Sequence, residues 1–269
     1  MLLSIVTAVR NRAGTLGHAL GSLAAQSHSG VEHVIQDGAS TDGTLGVIAR
    51  RAPRARLESA PDGGIYEALN RGIARASGDV IGILHSDDAL AHPGALSRVM
   101  VRLMADPSLD GVYGDLDYVS ASGSGRVVRR WRAGAYRPGM LARGWMPPHP
   151  TLFVRREVIE RHGAYDTSLR IAADYEAILR WLGAGVRLGY VPDVLVRMRM
   201  GGESNRSLGR MLVKSREDLR AMRRHGVGGL GTLAMKNLSK VGQFVPGGPD
   251  RPALSIGASV LSPRLATTA

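Results

Sequence analysis

Two adjacent carboxylates, Asp87 and Asp88, end an apolar stretch that runs from Val80 to Leu84. Like charges so close together repel each other, and a fold keeps them where a cation or hydrogen-bond donors compensate. Mg²⁺ and Mn²⁺ bind one or two carboxylates and complete their coordination with phosphate and water. The alternative is that the pair caps a helix that begins near Pro93. From these residues alone, a divalent metal site and a helix cap are equally favoured.

A third carboxylate, Asp174, stands at the predicted start of a helix behind the small residues Ala172 and Ala173. The helix dipole favours an ionised carboxylate at this end, and an ionised carboxylate can take a proton from a hydroxyl group. Asp174 is therefore a candidate general base, and Glu176 is the second candidate. The structural alternative is that Asp174 stabilises the helix terminus, which is common for Asp.

Glycine-rich turns carry two further carboxylates. Asp37 is followed by Gly38, where the backbone can approach a flat ligand closely and the carboxylate can accept a hydrogen bond from a base N–H. Turn statistics alone favour an Asx turn at this position. Asp62 precedes Gly63 and Gly64, which leave a helix N-terminus free for phosphate groups, with an ordinary turn as the alternative.

The elements that must position these residues alternate between strand and helix patterns in the first half of the chain. Strands are predicted over residues 2–9, 31–36, 56–59 and 80–84, with helices between them. This order predicts an α/β domain with a largely parallel sheet. In such sheets ligands bind at the carboxyl ends of the strands, and all four predicted ends carry polar residues, beginning with Arg10-Asn11.

The second half is less regular. The patterns there predict strands near residues 112–113, 127–128 and 185–196, an extended loop over residues 146–150, and helices from Glu157 and Asp174. Past Gly226 the composition, rich in glycine, proline and serine, predicts a loosely ordered tail.

The composition limits the class of protein. Hydrophobic residues make up 44% of the 269 residues, which is enough for a core, and the absence of cysteine excludes disulfides, thiolate metal sites and cysteine nucleophiles. No apolar run approaches the ~20 residues of a membrane span, and the first ten residues lack the features of a secretory signal. We therefore expect a cytoplasmic protein.

The net charge of +12 is concentrated in two segments. Eight arginines lie between Arg126 and Arg156, and nine basic residues face two acidic ones between Arg206 and Lys240. Such segments fit a phosphate-bearing ligand or an anionic membrane surface, and the alternative is a solvated arginine-rich surface. Nucleic acid is not expected, because no nucleic-acid motif is present and acidic strand ends repel phosphates.

Five motifs in this order resemble the family-2 glycosyltransferases with the GT-A fold. They span Ser4–Asn11, Gln36–Thr44, Pro61–Gly72, Gly78–Asp88 and Ala173–Tyr175. The resemblance implies an α/β, Rossmann-like, mostly parallel sheet flanked by helices, with a smaller acceptor-side region and a basic C-terminal tail. It implies a GT-A domain over residues 1–200, divided into a nucleotide-sugar half (1–110) and an acceptor half (111–200), and a basic helical extension with a flexible tail over residues 201–269.

The resemblance also implies roles for individual residues. Asp174 matches the catalytic base, Asp88 the metal ligand, and His149 and Trp145 the acceptor side. The matches for donor binding are Thr7, Val9, Asn11, Asp37, Asp62, Gly63, Asn70 and Asp87. Ala173 departs from the pattern because many members have Glu there, so the base assignment depends on Asp174 with Glu176 in reserve. Glu67 stands where Asp is usual, a change of little consequence.

The activity implied is a metal-dependent, inverting transfer from a nucleotide diphosphate sugar to a hydroxyl group of a glycan or lipid-linked acceptor. Mn²⁺ or Mg²⁺ is the expected cofactor, and UDP is the favoured nucleotide with GDP and dTDP as alternatives. The resemblance extends to enzymes of exopolysaccharide and colanic-acid-type synthesis, which work at the inner face of the cell membrane.

Two other readings of the sequence compete with a transferase. A nucleotide-binding dehydrogenase is excluded, because residues 10–14 contain a single glycine where G-x-G-x-x-G is required. The remaining alternative is an inactive nucleotide-sugar-binding or basic membrane-surface protein of the same fold.

Overall fold

The computed structural model describes residues 1–120, 125–200, 208–239 and 243. Its strands are β1 (Leu3–Val9), β2 (Val31–Asp37), β3 (Arg56–Ser59), β4 (Val80–Ile83), β5 (Ala89–Leu90), β6 (Gly111–Val119), β7 (Val127–Trp131), β8 (Phe153–Arg155) and β9 (Leu188–Arg199). Its helices are α1 (Ala13–Ala24), α2 (Thr44–Arg51), α3 (Ile65–Arg75), α4 (Ala95–Ala105), α5 (Arg156–His162), α6 (Ala173–Gly183), α7 (Leu208–Arg224) and α8 (Leu230–Leu238). Within these residues no helix is both long and apolar enough to cross a bilayer.

The described strands form one sheet in the order β3-β2-β1-β4-β8-β6-β9-β5, with β7 paired to β6. Strands β3, β2, β1 and β4 are parallel, because a helix crosses back between each pair, and β6 is parallel to β9. Strand β8 is antiparallel to both β4 and β6. The predicted α/β class is confirmed. The sheet is parallel up to β4 and mixed beyond it.

Helices cover both faces of the sheet. Strand β1 is buried along its whole length, as its nearly continuous apolar sequence predicts for a central parallel strand. Successive side chains point to opposite faces, so Ile5 belongs to the same hydrophobic cluster as Leu96 of α4, while Val6 belongs to the cluster that contains Leu69 of α3 and Ile178 of α6. Helix α6 is therefore fixed against the same sheet that carries the strand-end carboxylates.

The prediction of a loosely ordered tail past Gly226 is wrong for residues 230–238, which form α8. Two polar side chains of α8 are buried in specific contacts that composition does not reveal: Thr232 donates to the carbonyl of Ala142 at 2.9 Å, and Lys236 pairs with Asp218 at 2.9 Å. Gly144 has a φ of 79° and passes so close to α8 that a Cβ there would lie 2.6 Å from the backbone nitrogen of Lys236. Residues 240–269, residue 243 excepted, lie outside the described residues.

Glu32 joins four elements and gives a test of the fold. Burial alone would raise its pKa, but hydrogen bonds from Ser4, Ser77 and Arg56 lower the pKa of Glu32 to about 2. A depressed pKa stabilises the fold above the unfolded-state pKa, and this stabilisation is lost as pH falls toward 2. We expect Glu32→Gln to lower the free energy of unfolding by about 2 kcal/mol at pH 7 and by much less near pH 2. Urea titrations at both pH values measure this.

The matched control for Glu32 is Glu160→Gln, which removes the charge of an exposed glutamate on α5. Its effect on unfolding is expected to be small at either pH. A Glu32→Gln protein as stable as the native one at pH 7 would show that these hydrogen bonds contribute nothing.

Candidate active site

The loops after β1 and β2 are joined by hydrogen bonds at the carboxyl edge of the sheet. The backbone N–H of Asn11 donates to Ser40 Oγ at 2.8 Å, and Asn11 Oδ1 accepts from the N–H of Thr41 at 2.9 Å. Asn11 has a φ of 51°, a left-handed conformation that asparagine tolerates better than most residues. The loop after β3 joins them, because a Cβ on Gly38 would lie only 2.5 Å from Asp62 Oδ2. Three predicted donor-binding segments therefore meet at one edge.

Asp37 is fully buried within this edge. Its Oδ2 accepts the Ser40 N–H at 2.9 Å and the Ser59 hydroxyl at 2.6 Å, and Ser40 Oγ donates to Oδ1. The structure thus contains a local turn at Asp37, which is the alternative to base binding that turn statistics favour. The contact of Asp37 with a nucleotide base stays a prediction, and a base N–H would have to share an oxygen with these donors.

Thr7 and Val9, also predicted to line the nucleotide pocket, are buried in β1. The Thr7 hydroxyl donates to the carbonyl of Leu84 at 2.9 Å and lies 3.1 Å from His33 Nε2. Thr7 therefore ties the end of β1 to the end of β4, just before the acidic pair. Direct contact of either side chain with a nucleotide stays a prediction.

The start of α3 carries two more predicted donor-binding residues. Gly63 donates its N–H to Glu67 at 2.8 Å, and Arg71 also binds Glu67, so the glutamate in place of aspartate fixes this turn. Both amide atoms of Asn70 bind the backbone of Tyr165, at 2.8 and 3.0 Å. The Asn70 side chain thus joins α3 to the loop after α5, and its role toward the donor stays a prediction.

Asp174 lies next to Tyr66 of α3. The Tyr66 hydroxyl is 2.7 Å from the carbonyl oxygen of Ile171 and 3.1 Å from Asp174 Oδ1, and it donates toward both. The helix cap position of α6 is Ala172, and no side chain caps it. An N-cap role for Asp174 is therefore not what the structure shows, but the residue lies in the first turn of α6, where a carboxylate interacts favourably with the helix dipole. Its side chain is partly exposed, and among the described residues Tyr66 donates the hydrogen bond that it accepts.

Two imidazoles complete the surroundings of Asp174. His149 Nε2 lies 2.8 Å from the Tyr165 hydroxyl, and its ring centre is 5.9 Å from that of His85. Burial lowers the pKa of His149 to about 4 against the opposing charge of Asp174. Burial likewise lowers the pKa of His85, opposed by Asp87 and Asp174. Both rings are neutral at pH 7, so the charge of this cluster comes from its carboxylates.

Asp88 is set apart from Asp87. Only 2% of Asp88 is exposed, its Oδ1 accepts the N–H of Arg199 at 3.3 Å, and its Oδ2 is buried without a partner among the described residues. Burial and the neighbouring charge of Asp87 raise the pKa of Asp88 well above its usual range. The helix-cap alternative is wrong, because α4 begins at Ala95 after a break at Gly94.

The donor set at Asp87-Asp88 fits a hard divalent cation. An unpartnered buried carboxylate oxygen beside a second carboxylate is compensated by such an ion, whose other ligands come from diphosphate and water. Across residues 1–120, 125–200 and 208–239, no group of three or more His, Cys, Asp or Glu side chains could hold a metal by itself. Asp87 and Asp88 alone would therefore fill only part of the coordination shell of a divalent ion.

Glu176, the second candidate for the base, is ruled out by its position. It is 1% exposed, and it binds Arg180 at 3.0 Å and His225 at 2.8 Å. Burial raises its pKa, but the hydrogen bonds from Arg180 and His225 outweigh this effect, so the pKa of Glu176 is lowered. A buried carboxylate with two basic partners has no free access to a hydroxyl group.

Trp145, predicted on the acceptor side, lies in an aromatic group. Its ring stacks on Tyr136 at 5.0 Å, meets the edge of Tyr113 at 5.7 Å, and donates its N–H to the carbonyl of Ala133 at 2.9 Å. The acceptor roles of Trp145 and His149 stay predictions.

Sequence reasoning missed three residues of the cluster around Asp174. They are Tyr66, His85 and Tyr165. His85 immediately precedes the acidic motif and Tyr66 follows Gly63-Gly64, so their neighbours provided a signal. Tyr165 had none, because its place beside His149 depends on how α5 packs.

Solved structures share this fold. TarS 1–349 of S. aureus, in complex with UDP-GlcNAc, aligns with a TM-score of 0.65 at 18% identity, over 84% of this chain and 66% of that one. The mannosyltransferase PcManGT of Pyrobaculum calidifontis, in complex with GDP-Man and Mn²⁺, aligns with a TM-score of 0.60 at 19% identity, over 82% and 63%. This chain thus spans just under two thirds of either neighbour. The class defined is a GT-A-type α/β domain with carboxylates at its strand ends.

Residues 4–163 match the family model of glycosyl transferase family 2, and the chain belongs to this family. An uncharacterized glycosyltransferase of Mycobacterium tuberculosis is 32% identical over 183 residues, which cover 66% of this chain and 67% of the relative. A PGL/p-HBAD biosynthesis glycosyltransferase of Mycobacterium bovis BCG is also 32% identical over 183 residues, covering 66% and 69%. The predicted resemblance is confirmed.

Proposed function

We propose that this glycosyltransferase moves a sugar from a nucleotide diphosphate sugar to a hydroxyl group of a glycan or lipid-linked acceptor, with inversion, in cell-surface polysaccharide synthesis. The observation that carries the proposal is a continuous row of side-chain contacts between Asp174 on α6 and the strand end of Asp87 and Asp88. The row runs through Tyr66, Tyr165, His149 and His85. A relative named for PGL/p-HBAD biosynthesis and one named for O-antigen biosynthesis support the role in glycan synthesis. The UDP-GlcNAc and GDP-Man complexes of the structural neighbours support the donor class, with UDP favoured over GDP and dTDP.

In the proposed reaction Asp174 is the general base. The acceptor oxygen attacks the anomeric carbon from the face opposite the diphosphate, so the configuration inverts. The bond between that carbon and the diphosphate oxygen breaks, and the diphosphate leaves with the electron pair. The acceptor proton moves to Asp174 Oδ, which Tyr66 orients and which the neutral imidazoles of His85 and His149 do not neutralise.

The donor is held by the three joined loops and the start of α3. Asp37, Asp62 and Asn11 offer acceptors and donors toward the nucleoside at the ends of β1, β2 and β3. The backbone N–H groups in the first turn of α3 would receive the phosphates in this proposal, as helix N-termini do in other phosphate sites.

Asp88, with Asp87 beside it, is the proposed holder of Mn²⁺ or Mg²⁺. When bound, such an ion offsets the charge that grows on the departing diphosphate. The unpartnered Oδ2 of Asp88 and the Mn²⁺ of the mannosyltransferase neighbour support this assignment.

A donor screen tests the proposal. The protein is incubated with UDP-GlcNAc, UDP-glucose, dTDP-glucose and GDP-mannose in Mn²⁺, in Mg²⁺ or in EDTA, and nucleotide release is measured together with the anomeric configuration of the released sugar by NMR. We expect release from one nucleotide class, dependent on metal, with inverted configuration. Binding without release for every donor would instead support the inactive nucleotide-sugar-binding alternative.

The proposal includes docking on an anionic membrane surface, where a lipid-linked acceptor resides. Helix α8 buries polar side chains and exposes apolar ones, the reverse of most helices that pack on a core. Thr232 and Lys236 are buried, while Leu230 and Leu238 are each 68% exposed. On α7, the exposed Leu212 and three arginines recur at helical spacing along one face; the arginines are Arg216, Arg220 and Arg223. Exposed apolar and basic residues together favour an interfacial position. Arg206 and Lys240, which bound the predicted basic stretch, lie outside the described residues.

Vesicle sedimentation measures this docking. We expect binding to phosphatidylglycerol vesicles that weakens as salt rises, and a loss of about tenfold or more in Leu230→Ser/Leu238→Ser, since each buried leucine contributes about 1.5–3 kcal/mol. Val101→Ser, which removes a 60% exposed apolar residue of α4, is the control and leaves binding unchanged. Absence of vesicle binding at low salt would contradict the docking.

A further inference from the structure

Glu217 of α7 binds the segment that leads into α6. Its Oε1 accepts the backbone N–H of Arg170, and its Oε2 accepts those of Ile171 and Ala172, all at 2.9 Å. Three consecutive N–H groups converge on one carboxylate, which fixes the backbone immediately before α6. Asp174 follows two residues after the last of them.

The peptide group that joins Ile171 to Ala172, called the Ile171 peptide below, is held from two sides. Glu217 Oε2 accepts its N–H, that of Ala172, at 2.9 Å, and the Tyr66 hydroxyl donates to its carbonyl oxygen, that of Ile171, at 2.7 Å. The same hydroxyl is the donor to Asp174. A shift of this peptide therefore changes both where Tyr66 donates and where the α6 start places Asp174.

Helix α7 is itself held by contacts with neighbouring helices, so its Glu217 carboxylate has a fixed position from which it binds other groups. His225 at the end of α7 binds the buried Glu176 of α6 at 2.8 Å. Asp218, next to Glu217, is buried and pairs with Lys214 at 3.0 Å and with Lys236 of α8 at 2.9 Å. The Lys236 ammonium lies 3.1 Å from the ring centre of Tyr175, the residue after Asp174. Both C-terminal helices thus pack on the helix that carries the base.

We propose that Glu217 is a positioning residue that holds Asp174 in place for proton transfer through the Ile171 peptide and Tyr66. This inference rests on the proposed function, in which Asp174 is the base. The part of the chain that matches the family ends at residue 163, so this contact is a feature of the region beyond the matched one. A misplacement of about 1 Å at a reacting group can cost 10²-fold in rate, so a group that touches no substrate can still control turnover.

The test compares Glu217→Gln and Glu217→Ala in the full chain. Gln keeps the shape but offers one acceptor oxygen where three N–H groups converge, so we expect kcat for donor hydrolysis to fall about 10-fold in Gln and about 10²-fold in Ala. The nucleotide sugar is the one bound most tightly among UDP-GlcNAc, UDP-glucose and GDP-mannose in Mn²⁺. Its Kd stays native, because the donor contacts lie at other strand ends. Arg224→Ala, which removes an exposed ion pair of α7 with Asp166, is the control and leaves kcat unchanged.

A double-mutant cycle with Asp174→Asn separates positioning from general destabilisation. If Glu217 acts through Asp174, adding Glu217→Gln to Asp174→Asn causes no further loss of turnover. Multiplied effects in the double variant, equal losses of kcat and donor affinity, or native kcat in both Glu217 variants would each overturn the inference while the base assignment stands. Native kcat in Asp174→Asn alone would instead remove the proposed base. Circular dichroism and thermal unfolding identify variants that do not fold. If Glu217→Ala does not fold, the test depends on Glu217→Gln.

Discussion

Asp174→Asn is expected to lower kcat by about 10²–10⁴-fold while affinity for the nucleotide stays near native. Asparagine keeps the size of the side chain and can still accept a hydrogen bond from Tyr66, but it cannot take the acceptor proton. The proposed donor contacts lie at the ends of β1 to β4 and are not altered. Nucleotide release under saturating donor, with isothermal titration of UDP in Mn²⁺, separates the two quantities.

Stability distinguishes this result from a structural role of Asp174. Asp174 lies in the first turn of α6, where the loss of its charge costs at most about 1 kcal/mol, so thermal unfolding of the variant should differ little from that of the native protein. Tyr66→Phe is a useful companion, because it removes the donor to Asp174 without changing the carboxylate, and we expect it to lose less turnover than Asp174→Asn. Near-native turnover in Asp174→Asn would refute the base assignment, and Glu176 would not replace it, since it is buried between Arg180 and His225.

Asp88→Asn is expected to abolish most of the metal dependence of nucleotide binding. The native protein should bind UDP or GDP more tightly in Mn²⁺ than in EDTA, and the variant should lose that difference. Removing a charged partner from a buried pair commonly costs about 3–5 kcal/mol, which corresponds to about 10²–10⁴-fold in affinity. Titration of nucleotide in Mn²⁺ and in EDTA measures the affinity with metal and the affinity without it.

The metal-free protein provides a second readout for Asp88. Its buried Oδ2 has no partner among the described residues, so a neutral amide at this position removes a desolvated charge. Without metal, Asp88→Asn should be at least as stable as the native protein, whereas Mn²⁺ should stabilise the native protein alone. Asp87→Asn is the comparison, since Asp87 is the more exposed member of the pair. Equal nucleotide affinity with and without metal in the native protein would contradict the cation site.

The sequence by itself determined the first half of the fold and the position of the chemistry along the chain. Regular alternation of strand and helix patterns up to Asp88 leaves little choice but a parallel sheet, and the rule that ligands bind at strand ends then places Asp37, Asp62 and Asp87 at one edge. The start of α6 at Asp174 also followed from local signals. These features are local, because each depends on residues close together in the chain.

Where two carboxylates are neighbours in sequence, only the tertiary structure decided which environment each of them has. Residues two apart on a helix are about 200° apart around its axis, so Asp174 meets Tyr66 while Glu176 faces Arg180 and His225. Asp87 and Asp88 likewise differ, since Asp88 is buried against the backbone of Arg199 while Asp87 beside it is partly exposed. Arg180 apart, the partners that set these choices lie tens to more than a hundred residues away in sequence.

The C-terminal helices show the same limit. Composition near Leu230 suggested little order, yet the buried Lys236 and Thr232 attach α8 to Asp218 and Ala142. Helix formation there depends on these long-range contacts, because an isolated nine-residue helix is too short to be stable in water.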